Sequence, residues 1–162
     1  MLPHLDAAHN LARWLLGNHQ DAEDAVQDSF LRALTYFDGF HGEEGRAWLL
    51  AIVRHTCYDW LRKRSQHVEL PVESLEFARD AGLSPEAVQL QNADGAAVRL
   101  GLESLPAEFR EVLVLREMEG MSYQQIARVT DVPIGTVMSR LARARRRLHE
   151  TLTAAARKEA TA

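Results

Sequence analysis

Cysteine is almost missing from this chain of 162 residues, where Cys57 stands alone. No internal disulfide can form, and a zinc site built on cysteine ligands is excluded. A reactive thiol needs an exposed electropositive setting, so Cys57 is expected to pack in a core. Long apolar runs are missing too. The longest, Ala47 to Val53, falls far short of the roughly twenty residues that span a bilayer, so no membrane insertion is expected. Secretory-signal character is also absent, because Met1 is followed by His4, Asp6 and a mixed amphipathic stretch. The expected compartment is the cytoplasm. Strand signals are scarce and no internal repeat is present. There is no glycine-rich phosphate loop, no nucleophile elbow and no histidine–glutamate zinc motif. The seven histidines lack ligand spacing. These absences point away from an enzyme and predict neither metal nor cofactor.

An excess of positive charge is missing as well, since the net charge is −4. Its distribution is uneven. Met1 to Ser65 has a balance of −2, Gln66 to Val98 one of −5, and Arg99 onward one of +3. Within the last part the cations concentrate between Arg140 and Arg147, so the field that matters is local. An acidic whole with one basic helix limits indiscriminate binding to nucleic acid and suits a protein delivered to DNA by a partner.

What the chain does have is helical periodicity, and the fold class it predicts is all-α, with two small helical domains joined by a flexible acidic linker. Residues 1–65 read as three helices. The first runs from Leu2 to Leu16 with Leu5, Ala8, Ala12 and Leu15 or Leu16 on one side, and Gly17 and Asn18 end it. Asp21 offers a cap for a second helix from Ala22 to about Tyr36, burying Ala22, Val26, Phe30, Ala33 and Phe37. A third helix is expected from Arg46 to Arg64. Residues 66–95 hold Pro71, Gly82 and Pro85 and show no sustained stripe until Ala87, so they read as the linker, with a short helix near its end. A packed connector is the alternative. Residues 96–162 are helical again, with Pro106 opening a helix that Gly120 closes, and with Ala154 to Ala162 expected to fray.

The richest signal is GMSYQQIARVTDVPIGTVMSRLARARRRL, from Gly120 to Leu148. Ser122 and Gln125 have capping-box spacing, and Met121 and Ile126 that of a hydrophobic staple. Ala127 is small where two helices must approach. Asp131 and Val132 form a turn, and Pro133 suits the first turn of a new helix because its ring fixes φ. Val137, Leu141, Ala144 and Leu148 then form one apolar stripe. The other side carries Thr136, Ser139, Arg140, Arg143 and Arg147. A helix docked by one face, with hydroxyls and guanidiniums on the other, suits the major groove of DNA. Each feature alone is common in helical proteins, and an arginine run is often a solvated face. Their order together is what argues for DNA.

Two further helix faces carry charge. Asp21, Asp24, Gln27, Asp28 and Arg32 share one side of the second helix. No histidine on that helix joins the carboxylates, so a metal site is not indicated. The face is either simply solvated or a docking surface for a basic partner. On the third helix Leu49, Ile52, Val53, Thr56, Trp60 and Leu61 face a core, and Arg54, His55, Tyr58, Asp59 and Arg62 lie opposite. Aromatic rings stack on bases and cations track phosphate. With Phe37, Phe40 and His41 in the preceding loop, this face has the composition of a site for an unstacked base. The competing reading makes Trp48 and Trp60 core and the arginines solvated.

Four segments, DAEDAVQDSFLRAL, RAWLLAIVRHTCYDWLRKR, LESLPAEFREVLVLREMEGMSYQQIA and VPIGTVMSRLARARRRL, make the chain resemble the extracytoplasmic-function group of bacterial sigma factors. The resemblance implies a transcription-initiation subunit that binds RNA polymerase core and recognises the minus-ten and minus-thirty-five elements of promoter DNA. It implies that Asp21, Asp24, Gln27 and Asp28 dock on the clamp helices of the largest catalytic subunit. Arg54, His55, Tyr58, Asp59 and Arg62 would meet the minus-ten strand, with Phe37, Phe40 and His41 near a flipped base. Ile134, Gly135, Thr136, Ser139, Arg140, Arg143 and Arg147 would lie at the minus-thirty-five element. Ser139 and Arg143 would read bases, and Thr136, Arg140 and Arg147 would hold phosphates. An anti-sigma factor is a further partner implied by the family. His55 stands where many members carry asparagine, and Met138 and Ala142 stand where larger or polar groups are common, so no promoter sequence carries over. Two other functions fit parts of the pattern: a stand-alone helix-turn-helix regulator, and a sigma-like decoy that binds a regulator and not DNA. Neither accounts for all four segments.

Overall fold

The computed structural model describes residues 4–35, 45–67 and 93–161. Helices α1 (Leu5–Leu16), α2 (His19–Thr35) and α3 (Gly45–His67) form a bundle in which each helix packs on the other two. Leu11, Leu15, Val26, Leu49, Leu50 and Val53 fill its centre. Gly17 ends α1 at φ 85°, a left-handed conformation that glycine adopts without a side-chain clash, and its N–H reaches the Arg13 carbonyl. The cap of α2 is Asn18 and not the expected Asp21. Asn18 Oδ1 accepts the Asp21 N–H at 2.7 Å, and its Nδ2 donates to Asp21 Oδ2 at 2.8 Å. That reciprocal pair starts the helix three residues earlier than the position of Ala22 suggested.

The second block contains α4 (Ala93–Glu103), α5 (Ala107–Leu113), α6 (Tyr123–Thr130) and α7 (Ile134–Thr161). Gly101 lets α4 lie close on α7, because a Cβ there would stand 2.6 Å from Leu148 Cδ1. Arg110 folds back from α5 and donates to the Glu103 and Leu105 carbonyls at 3.2 and 3.3 Å, covering the end of α4. The helix that Pro106 opens does not run regularly to Gly120. It widens into a π-helical turn at Val114–Met118, where the Glu119 N–H reaches back to the Val114 carbonyl at 3.1 Å. Such a turn inserts one extra residue and changes the direction in which the later side chains point. Gly120 then reverses the chain at φ 64°. The expected fraying from Ala154 is not observed, since α7 continues to Thr161. Alanine, arginine, lysine and glutamate have high helix propensity and sustain it.

The two blocks share one apolar core, in which α3 packs against α6 and α1 against α5. Polar bonds cross between them. Arg46 donates to the Glu119 carboxylate at 2.9 Å and also to its carbonyl, and Asn10 Nδ2 donates to Glu119 Oε1 at 3.0 Å. The widened turn is therefore what delivers Glu119 to α1 and α3. Gln66 and His67 belong to α3, while the rest of the acidic segment up to Ala93, together with Phe37, Phe40 and His41, lies outside the described residues. Among the described residues no helix is long and apolar enough to cross a membrane.

Candidate nucleic-acid interface

The turn between α6 and α7 is built as its residues dictate. The Ser122 side chain accepts the Gln125 N–H at 3.1 Å, and Gln125 Oε1 accepts the Ser122 N–H at 2.9 Å, which completes the capping box. Met121 and Ile126 are fully buried against the bundle. Asp131 takes the left-handed conformation at φ 54°, which aspartate tolerates better than most residues. The Pro133 carbonyl accepts the N–H groups of Thr136 and Val137 at 2.9 and 3.1 Å and launches α7. Val137, Leu141 and Ala144 are buried as the stripe requires, and Leu148 packs beside them.

This docking leaves Ile134, Gly135, Met138, Ser139 and Arg143 on the outside of α7. Ile134 is 40% exposed and Met138 53%, an unusual apolar display on a polar helix. Ser139 Oγ donates to the Gly135 carbonyl at 3.0 Å. Thr136 and Arg140 are half-buried. The Arg147 guanidinium lies 4.9 Å from the Phe109 ring centroid, and Arg143, Arg146 and Arg147 line a shallow concavity with Phe109 and Glu150. Arg145, which periodicity did not single out, donates to Glu117 at 2.9 Å and ties α7 to the turn after α5.

The five polar residues of α3 split into two groups. His55, Asp59 and Arg62 sit together beside α2. His55 and Arg62 are exposed, and Asp59 accepts from Arg62 and, at 3.2 Å, from Arg32 of α2. Burial works against its charge, but the Arg32 and Arg62 guanidiniums prevail and hold its carboxyl below the usual carboxylate range. Asp59 thus orients two cations. Arg54 and Tyr58 turn instead toward the second block. Arg54 donates through Nε to Glu111 Oε2 at 2.8 Å and through Nη2 to Glu111 Oε1 at 3.1 Å, and it lies 4.5 Å over the Tyr58 ring. The Glu111 side chain is fully buried and that of Arg54 is 21% exposed. Burial would push the Arg54 guanidinium down, yet the Glu111 carboxylate outweighs it and raises it. Burial likewise pushes the Glu111 carboxyl up, against the pull of Arg54.

On α2 the acidic face is also divided. Asp21 is bound by Arg64, whose Nη1 donates to the Leu16 carbonyl at 2.9 Å, so that carboxylate joins α1, α2 and α3. Asp24 accepts from Gln20 at 3.1 Å, Asp28 lies 3.6 Å from Arg32, and Gln27 is exposed. Leu31 and Leu34, 63% and 61% exposed, extend this surface with an apolar edge that sequence reasoning passed over. Their positions off the buried stripe were the available signal. Among the described residues no group of histidine, cysteine and acidic side chains has the geometry to hold a metal ion.

Residues 2–67 match the family model for sigma-70 region 2, and residues 96–148 match that for sigma-70 region 4. The chain is 33% identical over 150 residues to the ECF RNA polymerase sigma factor SigE of Mycolicibacterium smegmatis, a match covering 92% of this chain and 58% of that protein. It is 36% identical over 135 residues to the ECF RNA polymerase sigma-E factor of Salmonella typhimurium, covering 77% of this chain and 70% of the relative. Among solved structures it is similar to the sigma factor RpoE of Bartonella quintana, determined in complex with the anti-sigma factor NepR. That superposition has a TM-score of 0.76 at 34% identity and covers 94% of this chain and 93% of the other. CnrH, determined in complex with the cytosolic domain of CnrY, superposes with a TM-score of 0.69 at 30% identity and covers 94% and 84%.

Proposed function

The chain belongs to the extracytoplasmic-function group of sigma-70 factors, and from that premise we propose that it binds RNA polymerase core, recognises two promoter elements and directs the start of transcription. It acts by binding and not by catalysis, in the cytoplasm where the polymerase works. The observation that carries the reading is the order of two modules, a three-helix bundle with a polar α2 face followed by a helix-turn-helix whose second helix displays Ser139 and Arg143.

In this reading residues 1–65 form the core-binding and minus-ten module, 66–95 the connector and 96–162 the minus-thirty-five module. Asp24, Gln27 and Asp28 contact the polymerase and Asp21 shapes their helix from behind. Ser139 and Arg143 read base edges while Gly135 allows close approach, since nothing lies within 4 Å of where its Cβ would be. Arg54, His55, Tyr58 and Arg62, with Phe37, Phe40 and His41, serve the minus-ten strand. A tether through one polymerase raises the effective concentration of the second contact once the first is made. An anti-sigma factor is the expected regulator, as the relative RpoE was solved bound to one. Transcription in vitro with purified core polymerase and a randomised promoter library tests the function. Selective initiation at a two-part promoter is the expected result, and failure to associate with any bacterial core enzyme overturns it.

A further inference from the structure

We propose that Ile134, Met138 and Ala142 of α7 read the 5-methyl group of thymine in the upstream promoter element, which presumes the DNA-binding role given to this helix. The three residues recur every four positions, so they form one row along the helix surface. Docking of α7 on the rest of the protein leaves that row uncovered. Ile134 is 40% exposed, Met138 is 53% exposed, and Ala142 lies in solvent beside them. Gly135, Ser139 and Arg143 form a second exposed row next to the first. The helix therefore presents an apolar row and a polar row side by side.

The major groove displays one apolar substituent among its donors and acceptors, the thymine methyl. An apolar side chain gains there by removing that methyl from water and finds no equivalent group on the other three bases. The position along the helix suits this use. A recognition helix meets base edges with its N-terminal residues, and Ile134 opens α7 with Met138 one turn further on. Methionine is unbranched and flexible, so it can follow the contour of a methyl group. The polar row points to the same base pair. The Ser139 hydroxyl donates its proton to the Gly135 carbonyl at 3.0 Å, which leaves its oxygen to accept. The donors on the major-groove edge are adenine N6 and cytosine N4, and adenine is the partner of thymine. Both rows are thus satisfied by an A·T pair. A protein partner fits less well. A specific protein interface covers about 800 Å² on each side, and a single row of three side chains bordered by Ser139 and Arg143 is far narrower.

The test uses holoenzyme assembled from the full chain and core polymerase. Its preferred upstream element, taken from the randomised library, is compared with duplexes in which each thymine in turn is replaced by uracil. Uracil keeps the O4 acceptor and the pairing with adenine and lacks only the methyl. Affinity is expected to fall about fourfold for at least one thymine, the effect of uncovering one buried methyl. Met138→Gln keeps the length of the side chain and makes its end polar. That variant is expected to bind the thymine and uracil duplexes alike, whereas Met138→Leu keeps the preference. Position 138 is exposed, so both variants should fold, and circular dichroism checks that they do. Full affinity for every uracil duplex, while base-pair changes still weaken binding, overturns the methyl readout and leaves the promoter role standing. So does a selected upstream element with no thymine on either strand. Indifference of the holoenzyme to every upstream base pair removes the promoter role of α7, and the readout falls with it. Self-association of the full chain that Met138→Gln abolishes, with the thymine preference unmoved, would assign the row to a second copy and overturn the proposal.

Discussion

Arg54 and Glu111 lie 57 residues apart in sequence and meet in two parallel hydrogen bonds across the junction of the two blocks. The carboxylate has no access to solvent. Taking away Arg54 leaves a buried charge without its partner, which costs about 3–5 kcal/mol where the site cannot relax. Arg54→Ala is therefore expected to destabilise the protein strongly in urea denaturation. Pairing Arg54→Met with Glu111→Leu removes both charges and is expected to recover most of that loss. A double variant no more stable than Arg54→Ala would show that packing, and not the isolated charge, sets the penalty.

Asp21 and Asp24 are predicted to part company. Asp21 is held by Arg64 and Asn18 at the junction of three helices, whereas Asp24 faces outward with Gln20. Asp24→Lys with Asp28→Lys should abolish co-purification with core polymerase while leaving the thermal midpoint within a few degrees. Asp21→Asn should lower the midpoint and leave polymerase binding intact at low temperature. Equal loss of polymerase binding in both proteins at unchanged stability would make the whole face a contact surface.

Arg143 and Arg147 are predicted to differ in kind. Arg143 is free of the α7 docking surface, whereas Arg147 lies over Phe109. Arg143→Ala should lose about 1–3 kcal/mol of discrimination at one base pair of the upstream element. Arg147→Ala should weaken binding about equally across sequences and reduce the salt dependence. Binding of holoenzyme to a panel of single-base promoter variants at two salt concentrations separates the two, and an Arg143→Ala protein with the parental base preference would remove that residue from the reading set.

Local signals carried most of the fold. The capping box at Ser122, the staple of Met121 and Ile126 and the stripe from Val137 to Ala144 are short-range features, and each stands where its spacing demands. The bonds that escaped notice are long-range. Nothing near Arg54 announces Glu111, and nothing near Arg32 announces Asp59, because pairing across helices depends on how the bundle closes. The same limit applies to the α3 face. Periodicity placed Arg54, His55, Tyr58, Asp59 and Arg62 on one side, but it could not say that Arg54 and Tyr58 would be covered by a second block while His55 and Arg62 stayed in solvent. The π-helical turn at Val114–Met118 was invisible for a related reason, since the residues there are ordinary helix formers and the register shift answers to the contacts of Glu119.

Cys57 supplies the last prediction. It is completely buried on α3, and burial, with the Glu111 charge nearby adding to it, pushes its thiol up to about 12. At pH 8 only about one molecule in ten thousand would carry the thiolate, which is the nucleophile. Native protein should thus resist thiol reagents that modify the urea-unfolded chain at once. The same shift ties stability to pH. The folded state keeps the proton up to about 12, whereas the unfolded thiol releases it near the ordinary value of 9.0. The unfolded chain then binds fewer protons, so the contribution of Cys57 is fully present below pH 9 and is lost as pH rises toward 12, with a limiting slope of about 1.4 kcal/mol per pH unit. Urea denaturation of the parent and of Cys57→Ala, compared from pH 7 to 10.5, isolates this thiol from the other groups that titrate in that window. The parent should lose stability more steeply than the variant above pH 9. Parallel curves, or fast labelling of the native protein at pH 8, would mean that water reaches this sulfur and that the packing between α3 and its neighbours is looser than the geometry describes.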